Sequence, residues 1–193
     1  MNSSLIKVIT GVRRCGKSVF CTQLLKGKKY GYVNFDDENL VGIRADELDE
    51  VLKAVYEVYG QIKFLFLDEV QNIEKWELFI NRLHRQGLNM IVTGSSAKLL
   101  SKELATHLTG RHLAIELFPF SFREFLNYKE VHLAGETAEE VGMIKNSLNE
   151  YVEKGGFPEL LREPNLERYL QSLYSAILTK DILLRYRIRY ART

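Results

Sequence analysis

Residues 11–20 read GVRRCGKSVF and follow directly on the apolar run LIKVIT of residues 5–10. Two glycines, two arginines and a lysine–serine pair thus stand where a buried strand would end. A structural tight turn needs glycine there but has no use for the lysine and the serine. Gly11-x-x-x-x-Gly16-Lys17-Ser18 meets every specified position of the phosphate-binding P-loop. At ordinary residue frequencies, a chain of this length contains that pattern by chance with a probability on the order of 1%.

The mechanism requires the placement seen here, after a strand and at the opening of a helix. Glycines let successive backbone N–H groups wrap a phosphate chain, and the helix N-terminus adds a favourable dipole. The phosphate-contacting run is read as Gly11, Val12, Arg13, Arg14, Cys15, Gly16, Lys17, Ser18 and Val19. Lys17 reaches the β- and γ-phosphates, and the Ser18 hydroxyl ligates Mg²⁺. Backbone amides do the wrapping at Arg13 and Arg14, so their side chains are expected to point into solvent.

Outward from the loop, short apolar runs alternate with helix-length amphipathic segments. Strands are predicted at 5–10, 30–35, 62–67, 88–93 and 112–117, and helices at about 17–26, 45–59, 76–86 and 97–108. Strands separated by helices imply parallel pairing with crossovers, hence a layered α/β domain with helices on both faces. After Phe118 the alternation stops. PFSFREFLNY and the segments 137–154 and 165–185 read as helices, with Ser121 and Glu124 as a capping box. The expected division is a P-loop domain over 1–118 and a helical subdomain over 119–193.

The run FLFLDE ends on Asp68 and Glu69. In a parallel sheet its C-terminal edge is also where the P-loop emerges, so both motifs face one crevice. Asp68 is expected to hold Mg²⁺ through a water, and Glu69 to orient and polarise an attacking water. That glutamate separates function classes, because a hydrolase needs it and a nucleotide kinase does not. Thr93, Ser95 and Ser96 of VTGSS would emerge beside the acidic pair if their strands are neighbours. Ser95 stands for the three as a catalytic hydroxyl, without a choice among them. Arg111, immediately before the fifth strand, could project towards a neighbouring subunit's nucleotide.

GVRRCGKS, FLDEVQNIEKWE, VTGSS, LTGRHLAIELFPFSFREF and GGFPELL occur in this order, and together they resemble archaeal and bacterial ATPases of the AAA+ superfamily. The resemblance implies a P-loop NTPase three-layer sandwich with a five-stranded parallel sheet of order 5-1-4-3-2 and a small helical lid. It implies ATP as substrate and ADP as product with Mg²⁺, and a nucleotide cycle that moves the lid. It also implies an arginine-finger role for Arg111 in a homo-oligomer, and places Pro158 of GGFP near the adenine. Members of that family usually continue into winged-helix and nuclease-like regions, so these residues are expected to be a fragment or a short form.

The remaining features exclude more than they assign. The 193 residues are 46% hydrophobic and 27% charged with a net charge of +2, so global charge gives no argument for nucleic acid. Arg185, Arg187, Arg189 and Arg192 interleave with Tyr186, Ile188 and Tyr190. Such a run can bind DNA, or it can be a linker that packs on a further domain, which is the favoured reading. No apolar run is long enough for a membrane helix, and a cytoplasmic location is the default. Cys15, Cys21 and the four histidines show no metal-ligand spacing and are read as structural. Two other function classes stay open: a nucleotide-gated binding module with negligible turnover, and a small-molecule kinase, which Glu69 disfavours.

Overall fold

Continuously buried central strands build the first layer of the molecule. The computed structural model describes residues 3–94, 108, 110–131, 137–163 and 165–183. By contacts it divides into two units: described residues of 1–12 with 17–117, and Arg13–Gly16 with those from Phe118 onward. The first unit holds β1 (Ile6–Thr10), α1 (Lys17–Leu24), β2 (Tyr30–Asn34), α2 (Leu48–Tyr59), β3 (Phe64–Asp68), α3 (Trp76–Arg85), β4 (Asn89–Gly94) and β5 (His112–Glu116). All pairings are parallel and the sheet order is β2-β3-β4-β1-β5, the expected 5-1-4-3-2 read from the other side.

Successive strand residues point to opposite faces. Leu65 and Leu67 of β3 join Val8, Met90 and Val92 beneath α2 and α3, which contribute Leu48, Val55, Phe79, Ile80 and Leu83. Phe66, one residue out of phase, turns to the other face with Ile9 and Ile91, and meets Cys21 and Leu25 of the α1 region. The sheet is therefore covered on both sides, which is why its central strands are almost continuously apolar. On α2 the approach is close enough to require glycine in β2. A Cβ on Gly31 would lie 2.6 Å from Val55 Cγ1 and 2.9 Å from Ile62 Cδ1.

Cys21 is fully buried in this second cluster, and burial, with the Asp68 charge adding to it, pushes its thiol up to about 12. Cys15 is buried too, and neither cysteine is in a disulfide. His84 and His112 rest on backbone carbonyls, of Ser4 and Leu108. Among the described residues no three His, Cys, Asp or Glu side chains gather as a metal cage, and no helix is long and apolar enough to cross a membrane.

The second unit contains α4 (Phe122–Tyr128), α5 (Ala138–Lys154), a 3₁₀ turn (Pro158–Leu161), α6 (Leu166–Ala176) and a π-helical continuation (Ile177–Leu183). Ser121 and Glu124 form the expected reciprocal cap of α4, and Thr137 with Glu140 caps α5 in the same way. The third helical segment, expected as one run over 165–185, changes its winding after Ala176. The loop before Pro158 is pinned by backbone: Phe120 N–H donates to Gly156 O at 2.7 Å, and the Tyr151 hydroxyl donates to Phe120 O at 2.7 Å. A Cβ on Gly156 would fall directly on that Phe120 carbonyl oxygen, a backbone atom with no freedom to turn aside. Gly156→Ala should destabilise the fold by about 1–3 kcal/mol, the usual cost of forced overpacking, read as a lowered midpoint in urea unfolding.

Candidate nucleotide site

Register brings the chemistry to one edge of the sheet. β1, β3 and β4 run the same way, and Ile9 lies opposite Thr93, Leu67 opposite Val92, and Asn34 of β2 opposite Asp68. The strand ends carrying Thr10, Asp68 and Thr93 are therefore neighbours, and the chain after Thr10 is the P-loop. β3, over Phe64–Asp68, begins two residues later than expected and ends one later, with Asp68 itself buried and hydrogen-bonded at the strand end.

Asp68 is a buried carboxylate ringed by hydroxyls. Ser18 Oγ donates to its Oδ2 at 2.6 Å, the Tyr32 hydroxyl donates to the same oxygen at 3.3 Å, and the Thr93 hydroxyl donates to Oδ1. A buried polar group is tolerated when its hydrogen bonds are met, and here three separate elements supply them. Tyr32 and Thr93 thus fix the side chain that faces Ser18. Burial first, and the Asp68 charge second, push the Tyr32 hydroxyl up to about 12, which keeps it a donor at neutral pH.

Glu69 follows in the left-handed region, with φ 54° and ψ 44°, a conformation uncommon for any residue but glycine. The turn is held by the Glu69 N–H, which donates to Thr93 Oγ1 at 3.0 Å. Gln71 Nε2 donates to Glu69 Oε2 at 2.5 Å, and Lys17 Nζ stands 3.6 Å from Oε1. Lys17 is buried, and its ammonium also donates to the carbonyls of Gly11 and Val12 at 3.1 and 3.2 Å. Lys17, Glu69, Thr93, Asp68 and Ser18 are therefore linked by successive contacts in the first unit.

The other expected residues fall as follows. Gly11 and Cys15 are buried, whereas Val12 and Val19 are exposed. Gly16 takes φ 99°, which suits glycine alone. Arg14 is exposed, as expected, but its side chain also pairs with Glu159 Oε2 at 2.7 Å within the second unit, and the nearby carboxylate holds its guanidinium firmly protonated. Pro158, in the same unit, lies near Gly16: a Cβ there would be 3.8 Å from Pro158 Cγ.

Arg111 is exposed and its carbonyl accepts from Ile6 N–H, so it sits at the opposite edge of the sheet from Thr10. The intervening strand spans about 16 Å at 3.3 Å per residue, beyond the reach of the side chain to the same copy's P-loop. Ser95, Ser96, residues 97–107 of the helix expected over 97–108, and the basic run over 185–192 lie outside the described residues. Three contacts were not foreseen: Tyr32 on Asp68, Gln71 on Glu69, and Glu159 on Arg14. Only the first two had a signal, Tyr32 as a polar-tipped residue in a strand and Gln71 two places after the acidic pair.

A family model described as "AAA domain" matches residues 3–126. The chain belongs to this AAA family. It is 41% identical over 192 residues to an uncharacterized protein of Methanocaldococcus jannaschii, a match covering 95% of this chain and 43% of the relative. An uncharacterized protein of Haemophilus influenzae is 31% identical over 193 residues, covering 94% of this chain and 47% of the relative. The AAA chain thus spans less than half the length of these curated relatives. Among solved structures it is similar to a signal transduction ATPase with numerous domains and a tetratricopeptide repeat sensor, from Pyrococcus horikoshii. That similarity has a TM-score of 0.50 at 11% identity over 90% of this chain and 30% of that chain, and it supports the fold alone. The fold is that of a P-loop NTPase, and the domain is of the AAA type, a class built to bind nucleotides.

Proposed function

We propose that the domain binds ATP with Mg²⁺ and hydrolyses it to ADP and phosphate. What supports this reading is the single cluster at the sheet edge: Ser18 on Asp68 at 2.6 Å, and Lys17 beside Glu69 at 3.6 Å. The donor set fits the ion, since Ser18 Oγ and the Asp68 carboxylate are both hard oxygens and Mg²⁺ takes its remaining ligands from phosphate and water. When bound, Mg²⁺ supplies charge neutralisation at the phosphate oxygens.

The chain's own residues do the rest in this reading. Backbone N–H groups of the loop and the start of α1 receive the phosphates, and Lys17 exchanges its carbonyl partners for phosphate oxygens. Glu69, oriented by Gln71 and by the Thr93-anchored turn, accepts a proton from the attacking water. Thr93 cannot be replaced by an apolar residue without leaving both Asp68 and the Glu69 amide short of a partner. Residues 1–118 act as the ATPase domain and 119–193 as a helical lid whose movement follows the nucleotide state, with Pro158 beside the adenine.

Calorimetric titration with ATP, with and without Mg²⁺, followed by phosphate-release assay, tests the reading. Mg²⁺-dependent binding with steady release supports it. Tight retention without release would make the protein a nucleotide-gated switch, and transfer to an added acceptor would make it a kinase.

Arg111 has a role only across a subunit boundary, in a homo-oligomer. Arg111→Ala should lower turnover, and mixing it with Glu69→Gln copies should restore part of the rate, because the mixture recreates sites having both an intact glutamate and an intact arginine. A mixture no faster than its separate components would remove Arg111 from the reaction.

A further inference from the structure

Four residues of the phosphate loop, Arg13–Gly16, belong to the helical unit, and one side chain fastens them there. Arg14 sits in the left-handed region at φ 65°, a backbone state that a residue of this size holds only when its surroundings fix it. Its Nη1 donates to Glu159 Oε2 at 2.7 Å, and the Tyr169 hydroxyl donates to that same oxygen at 2.8 Å. The guanidinium carbon lies 5.2 Å from the centroid of the Tyr169 ring, within cation–π range.

The receiving side rests on a packed cluster. Tyr169 is buried with Leu160 and Leu173, against which Phe157, Leu166 and Ile177 pack. Glu159 lies in the turn between Pro158 and Leu161 that this cluster anchors. Burial first, and the Glu159 bond second, push the Tyr169 hydroxyl up to about 12, so it donates throughout the neutral range. Arg14 is a hook, and Glu159 with Tyr169 forms the post.

Resting on the nucleotide reading above, we propose that Glu159 and Tyr169 are positioning residues for nucleotide binding: by holding Arg14 they keep the Arg13–Gly16 amides in the shape that receives phosphate. A loop that reaches this shape only part of the time binds with an affinity reduced by that fraction. The three groups act through one carboxylate oxygen, so their effects are not additive.

The test uses the 193-residue chain and a fluorescent N-methylanthraniloyl-ADP with Mg²⁺. Glu159→Gln should weaken binding about three- to tenfold, the range for a partly exposed ion pair reinforced by a second donor. Tyr169→Phe should weaken it less, and should add nothing in the Glu159→Gln background. Turnover at saturating ATP should stay within about twofold, because the Asp68 and Glu69 carboxylates are untouched. In the nucleotide-free chain, hydrogen exchange at the amides of residues 13–16 should be faster in Glu159→Gln.

The sign of the change discriminates sharply. If Arg14 instead grips phosphate and Glu159 competes for it, Glu159→Gln would tighten binding and overturn the proposal. Unchanged affinity with unchanged loop exchange would overturn it as well. Failure of the unaltered chain to bind the probe would sink the nucleotide reading, while the exchange comparison still decides the role of the hook.

Discussion

Lys17→Ala is expected to cripple nucleotide binding, lowering affinity by about 30- to 4,000-fold. The figure follows from truncating one partner of a buried charged contact, worth about 2–5 kcal/mol, at 1.4 kcal/mol per tenfold. Lys17 is 5% exposed and its ammonium is held by Gly11 O, Val12 O and Glu69. Alanine removes the cation that would meet the phosphates and leaves Glu69 without its positive neighbour. Lys17→Met keeps most of the apolar stem, so equal loss of binding in both variants, with the methionine variant melting near the parent, assigns the effect to charge. Titration calorimetry provides the affinities, and retained binding in both variants would show that the loop amides suffice.

Glu69→Gln is expected to separate binding from turnover. The substitution preserves shape and can still accept from Gln71 Nε2, but it cannot take a proton from water. Phosphate release should fall about 10²- to 10⁴-fold, the usual contribution of a positioned general base, with ATP affinity within about threefold of the parent. Single-turnover release after preloading with ATP reads the chemical step alone. An unchanged rate would move the base role elsewhere. Loss of binding together with turnover would instead mean that Glu69 serves the loop through its Lys17 contact.

The sheet was legible from the sequence because its signals are local. Apolar runs and their period distinguished strand from helix, and the glycines with Lys17 and Ser18 located the loop. The sheet order came from resemblance and not from the runs themselves, since pairing between Lys7 and Ile91 or Phe64 and Asn89 leaves no mark on either strand alone. The same limit explains what was missed at the site. Tyr32 lies 36 residues from Asp68, and Arg14 lies 145 residues from Glu159, so the first looked like an ordinary strand aromatic and the second like a solvated cation. Thr93 emerged with Ser95 and Ser96 as one of three hydroxyls. Only the alignment of β3 with β4 singles it out, as the group that serves both Asp68 and the Glu69 amide.

The P-loop and the acidic pair form one metal–nucleotide site in this account, and a diffraction experiment reads that directly. Crystals of the chain grown with ADP and Mn²⁺, a Mg²⁺ surrogate with an anomalous signal, should show the metal peak bonded to Ser18 Oγ and beside the Asp68 carboxylate, with the β-phosphate on Lys17. A nucleotide bound away from Lys17, or a metal peak out of reach of both Ser18 and Asp68, would contradict it.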